Sequence, residues 1–154
     1  MKKVEKIFAP TDLSELSGVG LEYALELARG WGAEVTVYLV ANAAELASYK
    51  ASSLEDLLMK RQQDLSRFLN AHFAGILPLV EVHEKVEIGS PATNIVAEAE
   101  KQGSDLIVMS THGRTGLVHV LMGSVTEEVV RNAACPVLSI HSPKSGKEAQ
   151  PVVG

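Results

Sequence analysis

Four consecutive apolar residues, Leu106-Ile107-Val108-Met109, run directly into a loop of small side chains, Ser110-Thr111-His112-Gly113-Arg114-Thr115-Gly116. The run is too short for a helix, and a strand without polar alternation needs both of its faces covered. A central strand between two layers of helices is therefore predicted. The glycines of the loop allow φ > 0 and leave backbone N–H groups uncovered, so an anion can approach closely. After Leu117 to Met122, Gly123-Ser124 opens a second helix, and Ser124 stands three residues before Glu127, the spacing of a capping box. Uncapped N–H groups and the positive end of the helix dipole would then face the glycine loop, an arrangement that favours phosphate. The stretch from Asp105 to Asn132 reads as a nucleotide-phosphate cradle. The plainer reading is a turn between strand and helix in which Ser124 only caps its own helix. Two stronger phosphate motifs are missing from the sequence. Gly146-Lys147 is followed by Glu148 and makes no Walker loop, and Gly18-Val19-Gly20 continues to Tyr23 where a dinucleotide fingerprint needs glycine.

The remainder of the chain supplies partners for that strand. Val4 to Ala9 reads as a first strand stopped by Pro10, which cannot donate to a ladder. An amphipathic helix follows from Ser17 to Arg29 on three- and four-residue apolar steps, ended by Gly30 or Gly32. Glu34 to Val40 is a β-branched and aromatic run, hence a second buried strand. Residues 41–50 read as a loop with a little helix. Ser52 or Ser53 caps the longest helix, on which Leu54, Leu57, Leu58, Arg61, Leu65, Phe68, Leu69 and His72 trace one stripe. Leu79 to Ile88 alternates apolar and charged residues and belongs at a sheet edge. Ser90-Pro91 starts another helix, with Ser90 as its cap, and Gly103 closes it. Pro136 to Ile140 is a short last strand. Strands alternating with helices predict an α/β protein with a doubly wound, five-stranded parallel sheet and helices on both faces. In such sheets ligands lie beyond the carboxyl ends of the strands where the winding reverses. With strands one and four adjacent there, the turn Pro10-Thr11-Asp12 and the loop from Ser110 to Gly116 share one crevice.

Composition narrows the function classes. The chain has 154 residues, 46% of them hydrophobic, enough for one globular domain over residues 1–142, and the polar stretch 143–154 is predicted to be a disordered tail. With a net charge of −5 and no run of more than two basic residues, nucleic acid is not an expected partner. The N-terminus has no apolar signal segment, and no stretch approaches the roughly 18 apolar residues of a membrane span. Cys135 is the single cysteine, which with these absences makes the cytoplasm the expected compartment.

Taken together, the residues resemble the universal stress protein family over Val4 to Ser142. The resemblance rests on Ala9-Pro10-Thr11-Asp12-Leu13-Ser14-Glu15, Gly89-Ser90-Pro91, Asp105 to Met109, Thr111 to Gly116, Gly123 to Glu127, and Cys135-Pro136-Val137-Leu138. ATP-binding members look like Gly-x2-Gly-x9-Gly-Ser/Thr. Gly113, Gly123 and Ser124 match, with nine residues between the two glycines, and Ser110 stands at the first glycine. The resemblance implies a Rossmann-like sheet of the adenine nucleotide alpha hydrolase type and a homodimer joined through Val137 to Ile140. It implies ATP as ligand, with magnesium or manganese carried by the phosphates. Carried over by position, Asp12, with Pro10 and Thr11 in its turn, contacts the adenosine part. Val40 lines the adenine pocket, and Met109 with Ser110 lies against ribose or base. Phosphate contact falls to Gly113, Arg114, Gly123, Ser124, Val125 and Thr126, with His112 counted among the residues of the same cofactor-binding loop. His112 reads as a loop-orienting residue, and no nucleophile with a base, carboxylate pair or histidine cluster suited to catalysis or metal is apparent. The expected function is regulatory binding of ATP in a stress response. The alternatives are a partner-binding protein of the same fold whose site has lapsed at Ser110, and a slow ATPase.

Overall fold

In the computed structural model, which describes residues 2–111 and 124–141, five strands form one all-parallel sheet in the order β3-β2-β1-β4-β5. The strands are β1 (Lys6–Pro10), β2 (Glu34–Ala41), β3 (Glu81–Ile88), β4 (Leu106–Ser110) and β5 (Val137–Ile140). The helices are α1 (Glu15–Trp31), a short α2 (Glu45–Ser48), α3 (Leu54–Phe73), α4 (Pro91–Lys101) and α5 (Ser124–Asn132). The chain winds outward through β2 and β3, returns across the sheet to β4 beside β1, and winds outward again to β5. The expected doubly wound fold is what forms. The predicted tail, 143–154, lies outside the described residues.

Strand periodicity divides the core in two. Ile7, Ala9, Val35, Val37, Leu39 and Val108 face α1 and α3, where they meet Leu21, Ala24, Leu25, Leu65 and Leu69. Phe8, Tyr38, Ile107 and Met109 face the other way, against Ala92, Ile95 and Ala99 of α4 and Val129 of α5. Every strand of the centre is thus covered twice, the physical reason its sequence carries no alternation. The edge strand β3 is covered less, and there the alternation appears.

Several boundaries differ from the sequence expectation. Pro10 is the last residue of β1, in register with Tyr38; its missing N–H does no harm because Thr11 N–H supplies the next bond, to the Tyr38 carbonyl at 2.9 Å. Helix α1 begins earlier, because Ser14 caps it by accepting from Ser17 N–H at 3.1 Å, and it ends at Gly32 with φ 66°. Gly30 lies inside the helix. Ser53, of the two candidates, caps α3 through Asp56 N–H. On that helix Leu57, Arg61, Leu65 and Leu69 are buried while Leu54 is exposed, so the buried stripe starts one turn later than the apolar sequence does. Ser90 sits at the N-cap of α4 but its hydroxyl makes no capping bond; Asn94 Oδ1 reaches back to Ser90 N–H at 3.1 Å instead. Ser124 is the first residue of α5, and Glu127 pairs with Arg131 one turn on, at 2.8 Å. That contact replaces the predicted reach of Glu127 back toward the start of its helix.

Candidate functional site

β1 and β4 are paired at Ile7–Leu106 and Phe8–Ile107 only, against five positions between β1 and β2. Two residues in, the ladder between the innermost strands stops, and their carboxyl ends are left unjoined at the point where the winding reverses. Pro10, Val40 and Met109 share the parity of Phe8 and Tyr38, so their side chains stand on the α4–α5 side of the sheet, Met109 buried and Val40 half-buried against that core. Of the residues expected to contact base and ribose, Pro10, Val40 and Met109 therefore share one face.

Each predicted residue next to this opening has a defined local role. Thr11 is buried, and its hydroxyl accepts from Leu13 N–H at 3.0 Å and shares a hydrogen bond of 2.8 Å with the Ser17 hydroxyl. Asp12 Oδ1 accepts from both the N–H and the hydroxyl of Ser14, so its carboxylate braces the residue that caps α1. Thr126, in the first turn of α5, donates from its buried hydroxyl to the Ser110 carbonyl at 3.0 Å. That bond ties α5 to the end of β4 and holds the helix start beside the opening. Val125 packs half-buried on the α4–α5 core and Ser124 is exposed. His112, Gly113, Arg114 and Gly123 lie outside the described residues.

Ser110 occupies the position where the ATP-binding motif has glycine, and its side chain turns away from the α4–α5 face. The hydroxyl donates to the Leu16 carbonyl at 2.6 Å and accepts from Gly20 N–H at 3.0 Å, on α1. Leu16 and Gly20 are the pair that a regular helix joins to each other, so Ser110 inserts an oxygen into one turn of α1. The contact needs Gly20: a Cβ there would lie 2.8 Å from Ser110 N and 3.0 Å from the Met109 carbonyl carbon. The hydroxyl thus donates and accepts within α1 and is turned away from the α4–α5 face. Ser110→Ala is expected to cost about 1 kcal/mol, because the freed N–H and C=O can bond to each other. Denaturant unfolding checks that figure, and ATP affinity in the same variant is expected to stay within about twofold of the parent.

Sequence reasoning missed three participants. Leu13 adopts φ 65°, a conformation leucine seldom takes, in the loop between β1 and α1. Nothing in a leucine codon foretells that. Ser17 is buried and bonds to both Thr11 and the Ser14 carbonyl. Gly20 was visible as a glycine without a fingerprint to belong to, and helix-to-strand contact is its reason. Below the crevice, burial pushes the Tyr38 phenol up to about 12, so it is a neutral wall. Burial also opposes ionisation of Glu98, yet Lys85 at 2.6 Å and Gln102 at 3.0 Å hold its carboxyl below the usual range.

A parallel, doubly wound sheet whose first and fourth strands part at the reversal defines the α/β class that takes ligands beyond its strand ends. The chain belongs to the universal stress protein family: the model of that family matches residues 3–141. It is 36% identical over 146 residues to universal stress protein MJ0531 of Methanocaldococcus jannaschii, covering 91% of this chain and 84% of that one. Among solved structures, it resembles protein MJ0577 at 29% identity and a TM-score of 0.73, over 94% of this chain and all of that one. It shares its fold with a universal stress protein of Archaeoglobus fulgidus in complex with dAMP, at 22% identity and a TM-score of 0.61, over 91% and 99% of the two chains.

Proposed function

We propose that this universal stress protein binds an adenine nucleotide, ATP foremost, in the crevice between the carboxyl ends of β1 and β4, and works as a regulatory homodimer in a stress response. The observation that supports it most is the adjacency of β1 and β4 at the winding reversal, which sets the Pro10-Thr11-Asp12 turn and the end of β4 at Ser110 on the same edge of the sheet. Pro10, Thr11, Asp12, Val40, Met109 and Ser110 surround the adenosine part, Ser110 through its backbone. His112, Gly113, Arg114, Gly123, Ser124, Val125 and Thr126 surround the phosphates. The α5 start, pinned by Thr126, supplies N–H groups and dipole for an anion, while the apolar α4–α5 face suits a purine. Magnesium or manganese comes in on the phosphate oxygens. The dAMP complex of the Archaeoglobus fulgidus protein is in keeping with the ligand class, as a likeness of fold.

Dimerisation is assigned to β5. Among the described residues it closes the sheet on one side with only β4 as neighbour, and Leu138 at its middle is exposed. A short apolar edge strand invites pairing with a second copy across a two-fold axis. We assign no catalytic residue.

Equilibrium titration of the purified full chain with a fluorescent ATP analogue tests the reading. Saturable one-to-one binding that ATP competes away is expected, and Gly113→Val is expected to abolish it by placing a branched side chain in the phosphate loop. Absence of binding in a folded parent protein would instead support a partner-binding protein without nucleotide.

A further inference from the structure

We propose that Glu34, Glu81 and His83 form a binding site for a divalent cation of the zinc class at the amino-terminal end of the sheet, opposite the nucleotide crevice. The parallel register of β2 and β3 sets Glu34 directly beside Glu81 and Thr36 beside His83. Residues two apart along a strand share a face. All three side chains consequently stand on the same side of the sheet. His83 Nε2 lies 3.2 Å from Glu81 Oε1 and 3.5 Å from Glu34 Oε2, and the three donor atoms fall within 4.8 Å of one another. Ligands held about 2.1 Å from a tetrahedral zinc ion are separated by roughly 3.4 Å, which is close to the two distances from His83.

Charge supplies a second argument, independent of the distances. Like charges directly opposite on neighbouring strands repel, and Glu34 and Glu81 are such a pair. Among the described residues neither carboxylate has a lysine or arginine within 4.0 Å, and His83 is the one basic side chain that close. The cations nearest in register are committed elsewhere. Lys6, beside Glu34 on β1, donates to the Gln102 carbonyl at 3.2 Å, and Lys85 pairs with Glu98 at 2.6 Å and Glu87 at 3.2 Å. The two carboxylate charges therefore stand side by side on a rigid backbone with no lysine or arginine to offset them among the described residues. One divalent cation cancels them.

The donor set chooses the metal. One imidazole with two carboxylates suits zinc and its transition-metal neighbours, whereas magnesium and calcium prefer oxygen alone. Because β3 is the edge strand and Glu81 and His83 are exposed, the ion keeps at least one position open to water or to a donor from another molecule. Within the chain it would join the edge strand to its neighbour at the end where the strands begin.

Titration of the nucleotide-free full chain with zinc chloride at pH 7.5, by calorimetry and by thermal unfolding, tests the site. Saturable one-to-one binding and a higher unfolding temperature are expected, with affinity reduced on the order of tenfold or more in both His83→Ala and Glu81→Gln. Both side chains are exposed, so the metal-free variants are expected to unfold within a few degrees of the parent. A hundredfold excess of magnesium is expected not to displace the zinc. No saturable binding, or parental affinity in His83→Ala, would overturn the assignment.

Discussion

Phe8→Ala is expected to destabilise the protein by about 4 kcal/mol, the cost of emptying a fully buried aromatic site. Phe8 has no exposed surface and lies on β1, the strand flanked by β2 and β4. Its ring packs on Tyr38 at a centroid distance of 5.0 Å, within a cluster that also includes Ile107, Met109 and Val129. Five β residues pair β1 to β2, so the backbone cannot collapse to fill the void. For a chain of this length that loss corresponds to a fall in Tm of roughly 8–16 °C, read by calorimetry or by circular dichroism. The cavity would open beneath Met109. Nucleotide affinity measured below the lowered Tm is accordingly expected to fall as well. A change under about 1 kcal/mol would mean that this face of the sheet is not packed as described.

Gly20→Val is the second large effect, and it strikes the other face of the sheet, at β4. Its first added carbon would sit 2.8 Å from Ser110 N and 2.9 Å from Ser110 Oγ, so two backbones have to move apart. Overpacking of this kind costs about 3 kcal/mol, and the small gain in helix propensity from replacing glycine offsets only about 0.4 kcal/mol of it. The displacement would be transmitted to Met109, Ser110 and Thr111, which form the rim of the proposed crevice. Loss of stability and of ATP binding together is therefore expected here. Ser110→Ala, which removes the hydroxyl and leaves the spacing intact, is expected to separate the two. Urea unfolding and nucleotide titration of the paired variants make the comparison. Equal ATP affinity in Gly20→Val and the parent would show that the α1–β4 contact does not position the site.

Much of this was legible in the residues, and the reason differs from element to element. The apolar runs at Ile7 to Ala9 and Leu106 to Met109, and the β-branched and aromatic run from Val35 to Val40, are satisfied by a sheet covered on both faces, so the central strands and the α/β class follow from them. The alternation of Val82, Val86 and Ile88 with charges likewise foretold an edge, and β3 is one. What resisted reading was the local hydrogen bonding. Ser14, Ser17, Thr11 and Asp12 all carry oxygens within a few residues, and which of them caps α1 depends on a backbone turn through Leu13 at positive φ, which no pattern announces. Ser90 stands at the N-cap without a capping bond from its hydroxyl, and the bond that forms there runs from its own N–H to the Asn94 amide oxygen one turn later.

The adjacency of β1 and β4 was legible as a consequence of topology, whereas the meaning of Ser110 was not. As a residue in a list, it looks like a damaged glycine position. In the fold, its side chain belongs to α1 and its carbonyl to Thr126, so the helix before the crevice and the helix after it are both fastened to one residue at the end of β4. The position is a structural junction under the proposed ligand, which leaves backbone groups to meet the nucleotide.

The most direct test of the central claim is amide chemical-shift mapping of the isotopically labelled full chain during titration with magnesium ATP. Saturating shifts are expected at Thr11, Asp12, Met109 to Thr111 and Ser124 to Thr126, with Glu34, Glu81 and the other residues at the amino ends of the strands unchanged. Shifts confined to those amino ends, or none that saturate in a folded sample, would contradict a nucleotide seated where β1 and β4 part.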